Sequence, residues 1–278
     1  MNEGAISSYV DKWLAVQPQQ RIALPFVEPA ERDAHVALAA LEQELIASAY
    51  GIREPHVAAA KLNWWAEELS GAPASGGRHP LTKALWASER AARVPADRWL
   101  APVLAAMAQI DQGTASDFPA QIAAARGMHG ALAGLETAWW YGAEAPTERA
   151  ARIATLSHLL FSLSRLELDA DHERLPLPMS RLARHGVSRQ QLKTDTPERR
   201  EAMRGQLGDL AGALREALAL AGPLSVFRGL EGRTARAIAA TASRAGDPML
   251  ELHKGQSRTG PVTAFRAWRS ARDSRRQS

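Results

Sequence analysis

Apolar residues recur at steps of three and four positions along most of the 278-residue chain. The clearest stripes of this kind are Leu38, Leu41, Leu45 and Ala49; Trp99, Val103, Met107 and Ile110; and Leu156, Leu159, Leu160 and Leu163. In a helix of about 3.6 residues per turn, this spacing brings the apolar side chains onto one face. Because alanine and leucine dominate and β-branched runs are scarce, we predict an almost entirely helical chain.

Prolines and glycines mark the predicted helix ends. The longest interruption is the 71–78 segment (GAPASGGR), which is too short to separate two domains, so we predict one large helical domain. Three predicted helix starts carry capping residues: Asp97 before a helix at 98–110, Thr147 before one at 148–168, and Thr196 with Pro197 before one at about 197–220.

The composition favours a cytoplasmic protein. The chain has no cysteine, which excludes disulfides and thiolate metal sites and fits a reducing compartment. The N-terminal stretch MNEGAISSYVDKW includes acidic residues and lacks a continuous apolar core, so we predict no signal peptide. The longest uncharged apolar stretches fall short of the ~20 residues that cross a bilayer. We therefore expect a cytoplasmic protein that is at most peripheral to the inner face of a membrane.

The net charge of +4 is unevenly distributed. Residues 253–278 contain seven lysines and arginines against the single acid Asp273, so the rest of the chain is slightly acidic. Arginines interleave with apolar residues within 262–272, which argues against an amphipathic helix there. We predict a helical domain over 1–252 and a flexible basic tail over 253–278, with contact to a membrane surface as the alternative for the tail. A nucleic-acid partner is not expected.

The segment 154–187, ATLSHLLFSLSRLELDADHERLPLPMSRLARHGV, carries the most informative pattern in the chain. An apolar helix leads into an acidic cluster, then into an Arg-x-Pro-x-Pro loop and a second short helix that ends at His185-Gly186. Three earlier segments come in a defined order before it: RDAHVALAALEQEL at 32–45, KLNWWAEEL at 61–69, and His79-Pro80 before Ala84-Leu85.

In order and spacing, these segments resemble the squalene/phytoene synthase family over about residues 20–250. The resemblance implies an all-α, single-domain helical bundle of the class I terpenoid synthase type with a central cavity. The stretches ALEQELIAS and LPMSRLARHGVS are similar to a divergent branch of the family, that of a mitochondrial complex I assembly factor, whose aspartate motifs are degenerate.

The family's chemistry depends on aspartates on two facing helices, which hold the magnesium ions that bind prenyl diphosphates. The resemblance places the first set of aspartate positions at about Ile46, Ala47 and Tyr50, none of which binds magnesium. It places the second set on Arg165 and Asp169. An arginine binds a diphosphate directly through paired hydrogen bonds, but it cannot assemble a magnesium cluster.

The resemblance leaves few candidate site residues. Those for binding an anionic substrate are Arg32, Glu44, Arg165 and Arg174. The acidic cluster at the end of the apolar helix contains Glu167, Asp169, Asp171 and Glu173. One interpretation is local neutralisation by the flanking arginines, and the other is residual metal binding by Asp169 and Asp171. We interpret the tryptophan pairs 64–65 and 139–140 and His158 as core residues.

Two functional hypotheses follow. In the first, the chain lacks prenyltransferase activity and any cofactor, and serves as a binding or assembly scaffold with a prenyl diphosphate, lipid or protein partner. In the second, it is a prenyltransferase that condenses farnesyl or geranylgeranyl diphosphate with Mg²⁺ by means of Asp169, Asp171 and Glu167. Four or more carboxylates facing the cavity from two opposed helices favour the enzyme, and one or two favour the scaffold. A bundle unrelated to the family would lack the cavity.

Overall fold

The computed structural model describes residues 3–171 and 174–277, and these residues contain α-helices and two short 3-10 helices but no strand. The 3-10 helices are Leu24–Phe26 and Gln190–Lys193. The α-helices are α1 (Glu3–Val16), α2 (Gln20–Ala23), α3 (Arg32–Tyr50), α4 (Pro55–Ser75), α5 (Pro80–Trp86), α6 (Arg90–Arg93), α7 (Ala96–Met107), α8 (Phe118–Tyr141), α9 (Glu148–Leu163), α10 (Leu166–Asp169), α11 (Met179–His185), α12 (Pro197–Ala219), α13 (Val226–Ala242), α14 (Pro248–Ser257) and α15 (Pro261–Arg275). Within the described ranges, no helix is long and apolar enough to cross a membrane.

Two hydrophobic clusters lie on either side of a shared pair of helices. One cluster joins α1, α3, α4, α5 and α7, and the other joins α9, α11, α12 and α14. Helices α8 and α13 contribute to both, because different faces of each helix are buried on each side. The molecule is therefore one helical domain, as predicted from the lack of a linker.

The apolar stripe at 38–49 becomes the buried face of α3, as predicted. Leu38, Leu41 and Leu45 are almost completely buried there. Removing a leucine side chain of this kind from water contributes roughly 1.5–3 kcal/mol to folding. The predicted cap of the long helix α12 is also confirmed, because the Thr196 hydroxyl accepts a hydrogen bond from the backbone N–H of Arg199 at 3.2 Å.

Two other predicted helix starts differ from the structure. Helix α7 begins one residue before Asp97, with Pro95 at the N-cap, so Asp97 lies in the first turn and makes no capping bond. Thr147 is the N-cap of α9 but its side chain makes no capping bond either. The predicted helix at 148–168 is broken after Leu163, so that its last turn forms the separate helix α10.

The predicted loop at 71–78 is mostly helical. Helix α4 continues through Pro73 to Ser75, because a proline in the last turn removes only one backbone hydrogen bond. The helix ends at Gly76, which has φ 74° and so adopts the left-handed conformation that glycine tolerates best. His79 then caps α5 by accepting a hydrogen bond from the N–H of Leu81.

The C-terminal segment is not the flexible tail that we predict from the sequence. Helix α15 packs against α13 and α2, and the OH of Tyr141 lies 2.7 Å from the Oγ of Ser274. The buried face of α15 consists of small residues: Thr263, Ala267, Ser270, Ala271 and Ser274. Alanine, serine and threonine are only weakly hydrophobic or polar, so a hydropathy pattern does not reveal this buried face. The aromatic residues Phe265 and Trp268 point outward instead and are 60% and 45% exposed.

The predicted aromatic core is confirmed in part. Trp65 and Trp139 are almost fully buried, whereas Trp64 is 38% exposed.

Glu68 on α4 organises the turn that leads into α5. Its carboxylate accepts hydrogen bonds from the backbone N–H groups of Arg78 and His79 and from the hydroxyl of Thr82. Burial alone would raise the pKa of Glu68, but these hydrogen bonds lower it to about 2. A carboxyl with a lowered pKa stabilises the fold above its unfolded pKa, and this contribution is lost as the pH falls through the folded pKa.

We therefore expect Glu68→Gln to lower the free energy of unfolding at pH 7 by about 3 kcal/mol. The difference between variant and wild type should shrink as the pH falls from 4.5 towards 2. Urea unfolding followed by circular dichroism at several pH values measures both effects. The exposed neighbour Glu67→Gln is the matched control and should change the stability little. A pH-independent loss in Glu68→Gln would contradict the assignment.

Candidate functional site

A central cavity of about 880 Å³ opens between the helices of the bundle. Its walls come mainly from α3, α8, α9 and α13, with α10 and the segments at 109–115 and 174–176 at one end. Both stretches predicted to line a cavity, 38–49 and 156–169, contribute to its walls. The hypothesis of an unrelated bundle without a central cavity is therefore wrong.

Helix α3 sets the depth of the cavity. Glu42, Ile46 and Tyr50 face it at four-residue steps along the same side of the helix. At a rise of about 1.5 Å per residue, Glu42 lies roughly 12 Å deeper than Tyr50. Helix α8 runs the other way, so that His129 lies at the level of Tyr50 and Glu136 lies at the level of Glu42.

The first predicted aspartate positions line the cavity but carry no magnesium ligand. Ile46 and Ala47 present apolar surface to it. Tyr50 donates a hydrogen bond from its OH to Gln109 Oε1 at 3.1 Å. Burial raises the pKa of Tyr50 to about 12, against the opposing effect of the Arg174 charge, so the phenol is neutral at physiological pH.

The second predicted positions, on Arg165 and Asp169, also face the cavity. These two side chains form an ion pair with each other, with 3.3 Å between Arg165 Nη2 and Asp169 Oδ1. Asp171 faces the cavity too and pairs with Lys193 at 2.6 Å, and the hydrogen bond from Lys193 lowers the pKa of Asp171. Arg165, one of the two flanking arginines, thus neutralises Asp169, whereas Asp171 forms its ion pair with Lys193.

Arg174 and Arg53 complete what we call the mouth of the cavity, defined by Arg53, Arg165, Asp169, Asp171 and Arg174. The Arg174 guanidinium donates hydrogen bonds to the carbonyls of Gln109 and Gln112 and lies 5.6 Å from the centre of the Tyr50 ring. Arg53 is exposed on the loop after α3 and contributes to the lowered pKa of Asp171. The mouth thus places three arginines beside two aspartates.

Three predicted site residues lie elsewhere. Arg32, at the start of α3, does not line the cavity, and it donates a hydrogen bond to the carbonyl of Val27. Glu44 faces away from the cavity towards Lys12 and Lys61. Glu167 also lies outside the cavity and accepts a hydrogen bond from Arg199 at 2.8 Å. Glu173 falls outside the described residues.

A stack of three rings lies one level below the mouth. His129 on α8 and His158 on α9 stack with 3.9 Å between ring centroids, and the His158 ring lies 4.5 Å from that of Tyr50. Burial lowers the pKa of His158 to about 3, helped by the charges of Arg174 and Arg165. Burial also lowers the pKa of His129 well below its usual value. Both imidazoles are therefore neutral at physiological pH, and their contact is a stack of uncharged rings.

A buried ionic cluster occupies the deep end of the cavity. The Arg228 guanidinium donates hydrogen bonds to Glu42 at 2.9 Å, to Glu136 at 2.8 Å and to Glu231 at 2.5 Å. We call these four residues the Arg228 cluster. Burial disfavours the arginine charge, but the attraction of the three carboxylates raises the pKa of Arg228 well above its usual value. Burial and the repulsion from Glu136 raise the pKa of Glu42, and burial raises that of Glu231.

The Arg228 cluster is not among the sites predicted from the sequence. Arg228 and Glu231 are three residues apart on α13, which is the one local indication of an ion pair. Glu42 and Glu136 come from distant helices, so no sequence spacing links them to Arg228.

Five carboxylates line the cavity, but they come from α3, α8, α10, α13 and the segment after α10 rather than from two opposed helices: Glu42, Glu136, Asp169, Asp171 and Glu231. Their partners also argue against the enzyme. Three contact Arg228, and the other two contact Arg165 and Lys193. Among the described residues, no group of three or more histidine, aspartate and glutamate side chains is arranged to hold a metal ion. The residues present therefore do not fit the magnesium cluster that the family's reaction requires.

The Arg228 cluster makes a testable contribution to stability. We expect Arg228→Met to lower the free energy of unfolding at pH 7 by about 3–5 kcal/mol, because it leaves three carboxyls buried without their counter-charge. Those carboxyls then have pKa values above their unfolded values, so the loss should be smaller at pH 5 than at pH 7. Urea unfolding at the two pH values tests this, with the exposed Arg236→Met on the same helix as control. An equal loss at both values would contradict the assignment.

The comparisons with known proteins agree with this architecture. The Squalene/phytoene synthase family profile matches residues 19–271. No curated protein sequence matches the chain. Among solved structures, squalene synthase HpnC from Alicyclobacillus acidocaldarius is similar with a TM-score of 0.56 and 14% identity, over 97% of this chain and 95% of that one. A dehydrosqualene synthase in complex with a ligand is similar with a TM-score of 0.68 and 11% identity, over 99% of this chain and 98% of that one.

At such low identity, the two solved structures show the fold alone, and they confirm the predicted class I terpenoid synthase type. The profile match covers most of the chain, including the larger part of α15. The chain belongs to the squalene/phytoene synthase family.

Proposed function

We propose that this family member does not condense prenyl diphosphates and instead uses its cavity to bind one amphiphilic ligand with an anionic headgroup, such as a prenyl diphosphate or a related lipid. The observation that carries the proposal is the mouth, where arginines stand at or beside the positions that the family's reaction needs as aspartates. No metal cofactor is needed for this role.

The missing chemistry is the ionisation of the diphosphate. That step needs several magnesium ions held between facing carboxylates, which stabilise the negative charge of the leaving group. On α3 the facing side chains are Ile46, Ala47 and Tyr50. On the opposite wall Arg165 would repel a magnesium ion, and its ion pair occupies an oxygen of Asp169. Neither wall supplies the ligands for a metal cluster.

The same mouth is suited to binding an anion directly. Guanidinium groups form paired, charge-assisted hydrogen bonds with phosphate oxygens. Arg165 and Arg53 face the opening, whereas Arg174 is engaged with two backbone carbonyls and the Tyr50 ring. We therefore assign headgroup binding mainly to Arg165 and Arg53. Arg174 instead holds the segment at 109–112 in place at the mouth.

The interior supports one ligand rather than two. A condensing enzyme must bury two prenyl chains side by side against apolar walls. Here the ring stack and the Arg228 cluster both reach the cavity surface. Covering charged groups with hydrocarbon costs several kcal/mol unless their hydrogen bonds are replaced. One chain that runs along the apolar surface of Ile46 and Leu132 avoids most of that cost.

The alternative is an active prenyltransferase that uses Asp169, Asp171 and Glu167 with Mg²⁺. It needs these carboxylates to converge, but Glu167 is turned towards Arg199 and Asp171 towards Lys193. The protein partner of an assembly scaffold stays a prediction, as does contact of the C-terminal helix with a membrane surface.

Binding of farnesyl diphosphate tests the proposal. We expect the wild-type protein to bind it in EDTA as tightly as in magnesium, because arginines rather than metal ions hold the headgroup. Arg165→Gln should raise the dissociation constant by about tenfold in both conditions, through the loss of one charge-assisted pair of hydrogen bonds. Isothermal titration calorimetry measures both effects.

The exposed Arg215→Gln on α12 is the matched control and should bind like the wild type. Binding that disappears in EDTA would contradict the proposal and favour the metal-dependent enzyme. Equal affinities of the Arg165→Gln and Arg215→Gln variants would contradict the assignment of the mouth.

A further inference from the structure

Three polar atoms on the cavity wall are buried and have no hydrogen-bond partner among the described residues. They are Glu42 Oε1, His129 Nε2 and Gln20 Oε1. Their residues are only 9%, 3% and 3% exposed, and all three line the cavity. A buried polar atom without a partner costs about 1–3 kcal/mol, so such atoms are rare unless a ligand completes them.

Glu42 and Gln20 belong to the deep end of the cavity. Glu42 uses its other oxygen, Oε2, to pair with Arg228. The amide nitrogen of Gln20 donates a hydrogen bond to the carbonyl of Phe227 at 3.1 Å, next to Arg228 in the chain. In each residue, therefore, one polar atom is bonded to the protein, and the other can accept a hydrogen bond from a ligand in the cavity.

The Arg228 cluster contains more acidic groups than basic ones, which also favours a ligand that donates hydrogen bonds and carries a positive charge. One guanidinium faces three carboxyl groups, and the charged neighbours that act on Glu42 are Glu136, Arg228 and Glu231. In an empty cavity, the cluster can avoid an excess of buried negative charge only by keeping carboxyls protonated. A second cation would balance it instead.

Aromatic rings flank this end of the cavity. Trp13 and Phe227 both line it and contact each other edge to face, with 5.2 Å between ring centroids. A ring face attracts a cation, and tryptophan does so most strongly.

We propose that the deep end of the cavity is a binding site for an ammonium group carried on an apolar chain, with Glu42 Oε1 and Gln20 Oε1 accepting its hydrogen bonds. An alkylammonium supplies three N–H donors and one positive charge, which match two unpartnered acceptors and the excess of carboxyl groups. A hydroxyl would supply a donor without the charge. This inference rests on the proposed function only in that the cavity must admit an apolar chain.

Binding should be coupled to proton release. Burial and the negative charge of Glu136 raise the pKa of Glu42, which favours its protonated form when the cavity is empty. When an ammonium group binds, Glu42 becomes a carboxylate, and its proton leaves to the solvent while the ammonium keeps its own three. Amine binding should therefore release protons, whereas alcohol binding should release none.

The experiment compares decylamine with 1-decanol by isothermal titration calorimetry of the full-length protein at pH 7. We expect decylamine to bind at least about tenfold more tightly, because a charge-assisted hydrogen bond replaces a neutral one. Repeating the titration in buffers of different ionisation enthalpy counts the protons released. Equal affinities for the two ligands, or no proton release with decylamine, would overturn the inference.

Glu42→Gln tests the residue with little change of shape. It removes the charge and leaves Glu136 and Glu231 to pair with Arg228. Its affinity for decylamine should fall by about tenfold, towards that for 1-decanol, while its affinity for 1-decanol stays within about twofold. The exposed Glu216→Gln is the control. Circular dichroism verifies that both variants are folded, and an unchanged decylamine affinity in folded Glu42→Gln would contradict the site.

The outcomes separate this inference from the proposed function. If neither ligand binds, the ammonium site fails, and farnesyl diphosphate binding decides the proposed function separately. If both ligands bind equally, only the ammonium site fails. If decylamine is preferred but farnesyl diphosphate does not bind, the ammonium site stands and the anionic mouth fails.

Discussion

The ion pairs of Arg228 connect three helices across the deep end of the cavity. Its guanidinium on α13 reaches Glu42 on α3 and Glu136 on α8. A helical bundle normally closes its centre with apolar side chains, and a bundle that keeps a cavity must hold its walls in place by other contacts. Buried charges persist only when they are paired, so the cluster determines how these walls face each other. The ring stack depends on that spacing, because Tyr50 and His129 lie on α3 and α8, two of the three helices that Arg228 connects.

The changes at the mouth belong together physically. Tyr50 stands where the resemblance places an aspartate of the first motif, and its ring contacts that of His158 on α9 across the cavity. His129 completes the stack from α8. Rings that contact one another across the cavity occupy the level where facing carboxylates would hold metal ions. Arg165 and Asp169 then neutralise each other above the stack. The cavity therefore has three arginines at its mouth, a stack of aromatic rings below the mouth, and the acidic Arg228 cluster at its deep end.

Much of the fold could be predicted from the sequence. Leucine spacing identified α3 and α9, and Thr196 marked the start of α12, because these features depend on residues a few positions apart. The order of short motifs indicated the family, and therefore the cavity and the positions that line it. Helix α15 was missed because its buried face is made of alanine, serine and threonine. The break between α9 and α10 was missed because both pieces share one apolar pattern.

The candidate site was harder to predict. Arg165, Arg174, Asp169 and Asp171 were identified by their place in the second motif, and they do meet at the mouth. Arg32 and Glu44 were carried over with the same motifs but face other parts of the molecule, since neighbouring positions on a helix point in different directions. The Arg228 cluster and the His129–His158 stack bring together residues far apart in the chain. Only the packing of the helices reveals them.

The most direct test of the account is whether the protein releases pyrophosphate from farnesyl or geranylgeranyl diphosphate in the presence of magnesium. We expect no release above a protein-free control from either substrate, and the same result for Asp169→Ala. Release by the wild-type protein that is abolished in Asp169→Ala would contradict the account and make this chain a divergent, active synthase.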